Sequence, residues 1–146
     1  MSKERAPTVL MCPAETLRMY NVLCARSKEG NGGEKGRKKT KEAAFSSRTP
    51  AFFLAAAIGI INNRAGGTKR EGMRAELTRR EFIVNHTSFT PFSQLLKSKY
   101  ELKTEQEIID KLLEFQEFGI RELYDEYHKT GKIDFLRFYR DAKAHL

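Results

Sequence analysis

Residues 49–70, TPAFFLAAAIGIINNRAGGTKR, join the most apolar run of the chain to a basic, glycine-rich segment. The run from Ala51 to Ile61 is apolar on every face of a helix, and such a helix is either a buried central helix or a membrane span. These eleven residues are too few for a span, because a bilayer requires about 20. The stretch therefore predicts a core helix that Thr49 caps, Pro50 begins and Asn62-Asn63 ends with a C-terminal cap.

The glycines near this helix invite comparison with a phosphate-binding loop. A P-loop requires the spacing G-x-x-x-x-G-K-[ST] directly after a strand. Neither GNGGEKGRKKT at 30–40 nor RAGGTKREG at 64–72 has that spacing, and each follows a predicted helix. We therefore expect no nucleotide site of this type and no cofactor.

Apolar residues three and four positions apart predict further helices on both sides of the core helix. One covers residues 13–27, and EFIV at 81–84 permits either a short helix or a strand. Gly119 is expected to end or kink a long amphipathic helix, whose continuation stops at Gly131. Further helix starts are predicted at Thr78, Thr90, Thr104 and Asp134.

These helices fit one compact domain, since single domains commonly contain about 100–150 residues. The chain has 146 residues. We predict an all-α fold over residues 1–146, with six or seven helices and two basic glycine-rich loops. Residues 1–12 are expected to be frayed, and residues 28–47 to form a flexible basic loop.

Positive charge is concentrated in the first part of the chain. The net charge is +8 overall; residues 1–80 contain seventeen Lys and Arg against seven Asp and Glu, whereas residues 81–146 contain ten against twelve. Such asymmetry favours an acidic partner, of which nucleic acid is the commonest. The alternative is a solvated basic surface with one charged loop.

Long basic side chains on glycine-rich loops can reach DNA phosphates without fixing a register. No aromatic residue interrupts these loops, so they predict no base-stacking platform. The same loops could instead dock on an acidic protein surface. The candidate DNA-contacting residues are Lys35, Arg37, Lys38, Lys39, Lys41, Arg64, Lys69, Arg70, Arg74, Arg79 and Arg80.

The chain shows no catalytic or metal-binding motif. Cys12 and Cys24 are expected to be buried and reduced, and no two Cys or His residues have the spacing of a structural zinc site. A Cys24–His86 pair is the catalytic alternative, because catalytic partners need only be close in space. We expect a non-enzymatic protein without a metal.

Two segments give the chain a family resemblance. AFFLAAAIGIINNR at 51–64 and KLLEFQEFGIREL at 111–123 resemble the small accessory proteins of DNA phosphorothioation (Dnd) systems. The shared pattern is an aromatic-led, alanine-rich helix that runs into Gly-x-x-Asn-Asn and a basic residue, followed later by an acidic helix with a glycine and an apolar residue. It falls on Phe52, Phe53, Ala55, Ala56, Gly59, Asn62, Asn63, Arg64, Gly119 and Ile120.

The resemblance covers residues 15–127 and implies a part in a bacterial or archaeal anti-phage defence operon, as a partner of larger DNA-modification or restriction enzymes. It transfers no catalytic residue. The opening MSKERAPT contains no apolar run, so we expect a cytoplasmic protein without a secretory signal or membrane contact. The alternative function is a free-standing nucleic-acid-binding regulator with no defence role. The sequence does not indicate an oligomeric state.

Overall fold

The computed structural model describes residues 8–24, 44–65, 75–137 and 140. Within these ranges the chain is mostly helical, but it also contains a two-stranded antiparallel sheet, so the all-α prediction is wrong. A further helical segment begins at Phe135. The bounded elements are β1 (Val9–Cys12), α1 (Ala14–Leu23), α2 (Arg48–Asn62), β2 (Ala75–Arg79), α3 (Arg80–Val84), α4 (Phe89–Tyr100) and α5 (Glu105–Thr130).

Helices α2 and α5 pack in close backbone contact at the centre of the domain. A Cβ atom added to Gly59 would lie 2.8 Å from the Phe115 carbonyl carbon, and one added to Gly119 would lie 2.7 Å from the Ala55 Cα. Each glycine therefore lies against the backbone of the other helix, one turn away from that helix's own glycine. Residue 59 faces residue 115 and residue 55 faces residue 119, so the two helices run antiparallel. Any side chain at either position would force them apart.

Gly119 does not end α5, contrary to one expectation from sequence. The helix continues for eleven residues beyond it to Thr130, and the contact with α2 requires a residue without a Cβ atom at this position. Two other predictions for this helix are confirmed. Thr104 and Glu107 form the capping box, and Gly131 ends the helix with a left-handed φ of 83°.

The predicted core helix is confirmed as α2, which is buried along most of its length. Its capping residue is Ser47 rather than Thr49, and the Ser47 side chain makes no capping hydrogen bond. At the other end, Asn63 adopts the left-handed conformation that terminates the helix, as the Asn-Asn pair predicted. No helix in the described part of the chain is both long and apolar enough to cross a membrane.

The sheet pairs residues from two segments that the sequence did not identify as strands. Residues 9–12 were expected to be frayed, and Thr78 was expected to begin a helix. Instead Leu10 pairs with Thr78 and Met11 with Glu76, which leaves Leu77 as the extra residue of a β-bulge. The Leu77 carbonyl, which the bulge withdraws from the ladder, accepts a hydrogen bond of 2.9 Å from the Arg48 guanidinium.

The sequence did not predict these strands because each is short and its partner strand lies far away along the chain. Four apolar or weakly polar residues at 9–12 show no alternation of polarity, and their partner lies more than sixty positions away. Burial shows the alternation only after folding, since Leu10 and Cys12 are buried while Val9 and Met11 are partly exposed. A two-stranded sheet is marginally stable alone, so these strands depend on the helices that they pack against.

Helix α1 is shorter than the predicted 13–27 and ends at Leu23. Cys24 continues as extended chain and forms an isolated parallel bridge with Phe45. Because Phe45 is itself buried, the last part of the segment expected to be flexible is packed into the core. In α4, Phe89 and Leu96 are buried, whereas Leu95 is 44% exposed.

Replacing Gly119 with alanine is expected to destabilise the protein by about 2 kcal/mol or more, because overpacking against a rigid backbone forces the helices apart. This loss would occur although alanine is the better helix former. Gly131→Ala is the matched control: a Cβ there meets nothing within 4 Å, so only its left-handed conformation costs about 1 kcal/mol. Urea unfolding measures both free energies, and equal losses would contradict the close-contact explanation.

Candidate nucleic-acid interface

The predicted DNA-contacting residues divide into those that the structure describes and those that it does not. Arg64, Arg79 and Arg80 lie within the described ranges. The remaining predicted residues, Lys35, Arg37, Lys38, Lys39, Lys41, Lys69, Arg70 and Arg74, lie outside the described residues.

Arg80 forms a structural contact. Its guanidinium donates hydrogen bonds of 2.6 Å to Gln106 Oε1 and 2.8 Å to Glu105 Oε1, and its side chain is only 15% exposed. These bonds tie the start of α3 to the first turn of α5 and occupy donors that a phosphate would need. Arg79 lies 3.7 Å from Glu81 in an exposed ion pair, which stabilises little and is screened by salt.

Arg64 is the predicted cation best placed to meet an anion. It follows the left-handed Asn63 at the end of α2, and its backbone N–H donates to the Gly59 carbonyl at 2.9 Å. Its guanidinium carbon lies 5.6 Å from the centre of the Phe118 ring. The guanidinium makes no hydrogen bond to the described part of the chain, and the residue is exposed.

Two lysines join Arg64 on the same side of the fold. Lys111 Nζ lies 4.7 Å from the centre of the Tyr100 ring, and Lys99 Nζ lies 5.8 Å from it. The Tyr100 hydroxyl is 3.5 Å from Asn63 Oδ1, which places the ring beside the end of α2. We call Arg64, Lys99, Tyr100, Lys111 and Phe118 the cation–aromatic surface.

These cations also have structural roles. A cation over an aromatic ring contributes about 0.5–1 kcal/mol at an exposed site, and a lysine in the last turn of α4 interacts favourably with the helix dipole. Lys111 in addition lies 3.5 Å from Glu114. None of these interactions neutralises Arg64 or Lys99, so the surface remains positively charged.

Sequence reasoning missed most of this surface because it examined only the glycine-rich loops. The stretch KSKYELK at 97–103 does interleave lysines with a tyrosine, and that pattern is the signal that could have found it. Lys111 and Phe118 carry no such signal, since they lie on a helix that reads as acidic and amphipathic. Only the packing of α5 against the ends of α2 and α4 brings Phe118 to Arg64 and Lys111 to Tyr100.

A buried polar cluster lies between α1 and α5. Thr16 Oγ1 donates to both carboxylate oxygens of Glu117, at 2.9 and 3.0 Å, and Gln116 Nε2 donates to Glu117 Oε2 at 3.1 Å. The Tyr20 hydroxyl donates to Gln116 Oε1 at 2.5 Å. Burial raises the pKa of Glu117. The hydrogen bond from Thr16 and the positive charge of Arg121 lower it, but burial has the larger effect.

This cluster fixes how α1 docks on α5 and has no access for a substrate. Glu117 is 2% exposed, and Thr16, Tyr20 and Gln116 are fully buried. Within the described residues no buried polar side-chain atom lacks a hydrogen-bond partner. A network in which every group is satisfied specifies one packing arrangement, and we assign it that role.

Both cysteines are buried, as predicted, and neither is in a disulfide. Burial raises the pKa of the Cys12 thiol to about 12, with the nearby Glu117 carboxylate adding to the effect. Burial likewise raises the pKa of the Cys24 thiol to about 12. A nucleophilic cysteine requires a lowered pKa and access, so this environment suits core packing.

His86 lies in an open groove of about 370 Å³ at the junction of α2 and α3. Its ring stacks on Phe53 with centroids 4.9 Å apart, and its Nδ1 accepts a hydrogen bond from the Ser88 backbone. Neither cysteine lines the groove, so the Cys24–His86 pair gains no support. The lining residues are Thr49, Glu81, Phe82, Asn85 and His86.

Comparison with models of protein families, with curated proteins and with solved structures finds no significant match to this chain. Within the part of the chain that the structure describes, no three Cys, His, Asp or Glu residues are grouped as a metal site would require. The geometry of the described side chains is therefore the basis for any functional proposal.

Glu117→Gln is expected to remove a pH-dependent loss of stability. The pKa of Glu117 is raised above its ordinary value of 4.5 in the folded protein. As pH rises, the Glu117 carboxyl group therefore loses its proton at a lower pH in the unfolded chain than in the folded protein. The free energy of unfolding should then fall above pH 4.5, by about 1.4 kcal/mol for each unit of pKa difference. Urea unfolding from pH 4.5 to 7.5 measures the effect, with the exposed Glu122→Gln as control. Parallel profiles for wild type and Glu117→Gln would contradict this prediction.

Both thiols are expected to resist modification in the native protein. With a pKa of about 12, roughly one thiol in ten thousand is ionised at pH 8, and burial restricts access further. A chromogenic disulfide reagent should react with neither cysteine on the timescale of minutes, and with both after guanidinium unfolding. Rapid reaction of one cysteine in the folded protein would reopen the enzyme hypothesis.

Proposed function

We propose that this protein binds nucleic acid through the phosphate backbone and uses the cation–aromatic surface as part of its contact area. The observation that supports this proposal is that Arg64, Lys99 and Lys111, from three different segments of the chain, lie over two aromatic rings. Arg64 also begins the predicted basic loop at 64–72. Lysine and arginine side chains gathered on one surface are the electrostatic footprint of a nucleic-acid-binding protein.

The mode of contact follows from the flexibility and chemistry of these side chains. Lysine is a point charge on a flexible stem, and Arg64 has guanidinium donors free for a phosphate. Binding of this kind releases counterions and weakens as salt rises, without a preference for base sequence. No observation identifies any of the described helices as a recognition helix that contacts base edges, so we propose binding without sequence specificity.

We further propose that the protein acts in the cytoplasm beside larger DNA-modification or restriction enzymes. Its resemblance to Dnd accessory proteins at 51–64 and 111–123 supports this role. Co-purification of such enzymes with the tagged protein from its host would support the accessory role. Normal DNA binding without any such partner would favour a free-standing regulator.

Replacing Lys99 and Lys111 together with glutamine is expected to weaken binding to duplex DNA by about tenfold at low salt. Each lost phosphate contact should also reduce the slope of log affinity against log salt by about 0.9. Fluorescence anisotropy of a labelled duplex at several salt concentrations measures both quantities. Lys129 and Lys132 provide a matched control with the same charge change, since Lys129 lies about 27 Å from Lys111 along α5.

The control separates a local contact from general electrostatic attraction. Equal losses in the two double variants would show that net charge alone causes binding and would contradict the assignment of this surface. No binding by the wild-type protein even at low salt would overturn the proposed function. A third variant, with Lys35, Arg37, Lys38, Lys39 and Lys41 changed to alanine, tests the first basic loop in the same assay.

A further inference from the structure

The cation–aromatic surface offers more than charge, because its cations lie over aromatic rings. Arg64 lies over Phe118, and Lys99 and Lys111 lie over Tyr100. We infer that this surface binds single-stranded DNA in preference to duplex DNA, with unpaired bases stacking on Tyr100 and against the Arg64–Phe118 pair. The inference rests on the proposed nucleic-acid binding and specifies the form of the ligand.

One side of the Arg64 guanidinium is available to a base. A guanidinium that lies over a ring is held on one side by that ring, and its other side can stack against a base. Arg64 is exposed and makes no hydrogen bond to any described residue that would turn it elsewhere. Its donors can meanwhile bind the phosphate of the same nucleotide.

The lysine ammonium groups over Tyr100 are held there by weak interactions. Lys99 is exposed, and the only contact of its ammonium group in the described part of the chain is with that ring. A phosphodiester backbone attracts such ammonium groups, since charge-assisted contacts to phosphate are stronger than an exposed cation–ring contact. Tyr100 is partly buried against the core, so movement of the lysines to phosphates would open its solvent-facing side to a base.

Tyr100 and Phe118 both lie near Phe115. The Tyr100 and Phe115 ring centres are 5.9 Å apart, and Phe118 follows Phe115 by three residues, or about 4.5 Å along the helix axis. Tyr100 and Phe118 are therefore both neighbours of Phe115, and bases of one strand would stack on them. In a duplex these base faces are stacked on each other and closed to the protein, so only an unpaired strand can use both rings.

The test compares a labelled single-stranded oligonucleotide with a duplex of the same length by fluorescence anisotropy at one salt concentration. The informative variant is Tyr100→Leu combined with Phe118→Leu, which keeps apolar packing but removes both ring faces. We expect the wild type to bind the single strand about tenfold more tightly than the duplex, and the double variant to lose this preference. Circular dichroism and the unfolding midpoint verify that the variant folds; if it does not, Tyr100→Leu alone is measured.

Each outcome has a distinct meaning. A single-strand preference that the leucine variant loses, with duplex binding unchanged, supports the inference. Equal binding of both DNA forms by the wild type overturns the inference and leaves the proposed function standing. A single-strand preference that survives in the folded leucine variant shows that the bases stack elsewhere and overturns the assignment to this surface. No binding of either DNA overturns both proposals.

Discussion

The close approach of α2 and α5 is the constraint on which the rest of the fold depends. Gly59 lies against the backbone at Phe115, and Gly119 lies against the backbone at Ala55. This reciprocal contact fixes the separation, the direction and the register of the two central helices at once, because a shift of one residue would place a side chain where only hydrogen fits. The other elements pack on this pair, and the sheet is too small to hold them independently.

The candidate binding surface is a direct consequence of that register. With Phe115 held against Gly59, the next turn of α5 brings Phe118 to the end of α2, where Asn63 turns the chain and presents Arg64. The end of α4 completes the surface by placing Tyr100 next to Phe115. The same glycine contact therefore organises the core and aligns the cations that we propose to bind nucleic acid.

Polar interactions determine how α1 and the sheet pack against the central helices α2 and α5. Glu117 and Gln116 face α1, next to the glycine that contacts α2, and their hydrogen bonds to Thr16 and Tyr20 leave no buried polar atom unpaired in the described core. Arg48 performs a similar role between α2, the β-bulge and α1, since it donates to Leu77 and Asn21. These contacts specify one arrangement at the cost of burying an acid, whose raised pKa reports that cost.

The sequence by itself determined the local features: α2 as a buried helix, the capping box at Thr104, the helix ends at Asn63 and Gly131, and the buried cysteines. Each follows from periodicity, capping chemistry or polarity within a few residues. Only the tertiary structure decided that Gly119 is a contact point, that residues 9–12 form a strand with 75–79, and that Phe118 meets Arg64. These features depend on partners more than fifty positions away, and no local pattern encodes a partner at that distance.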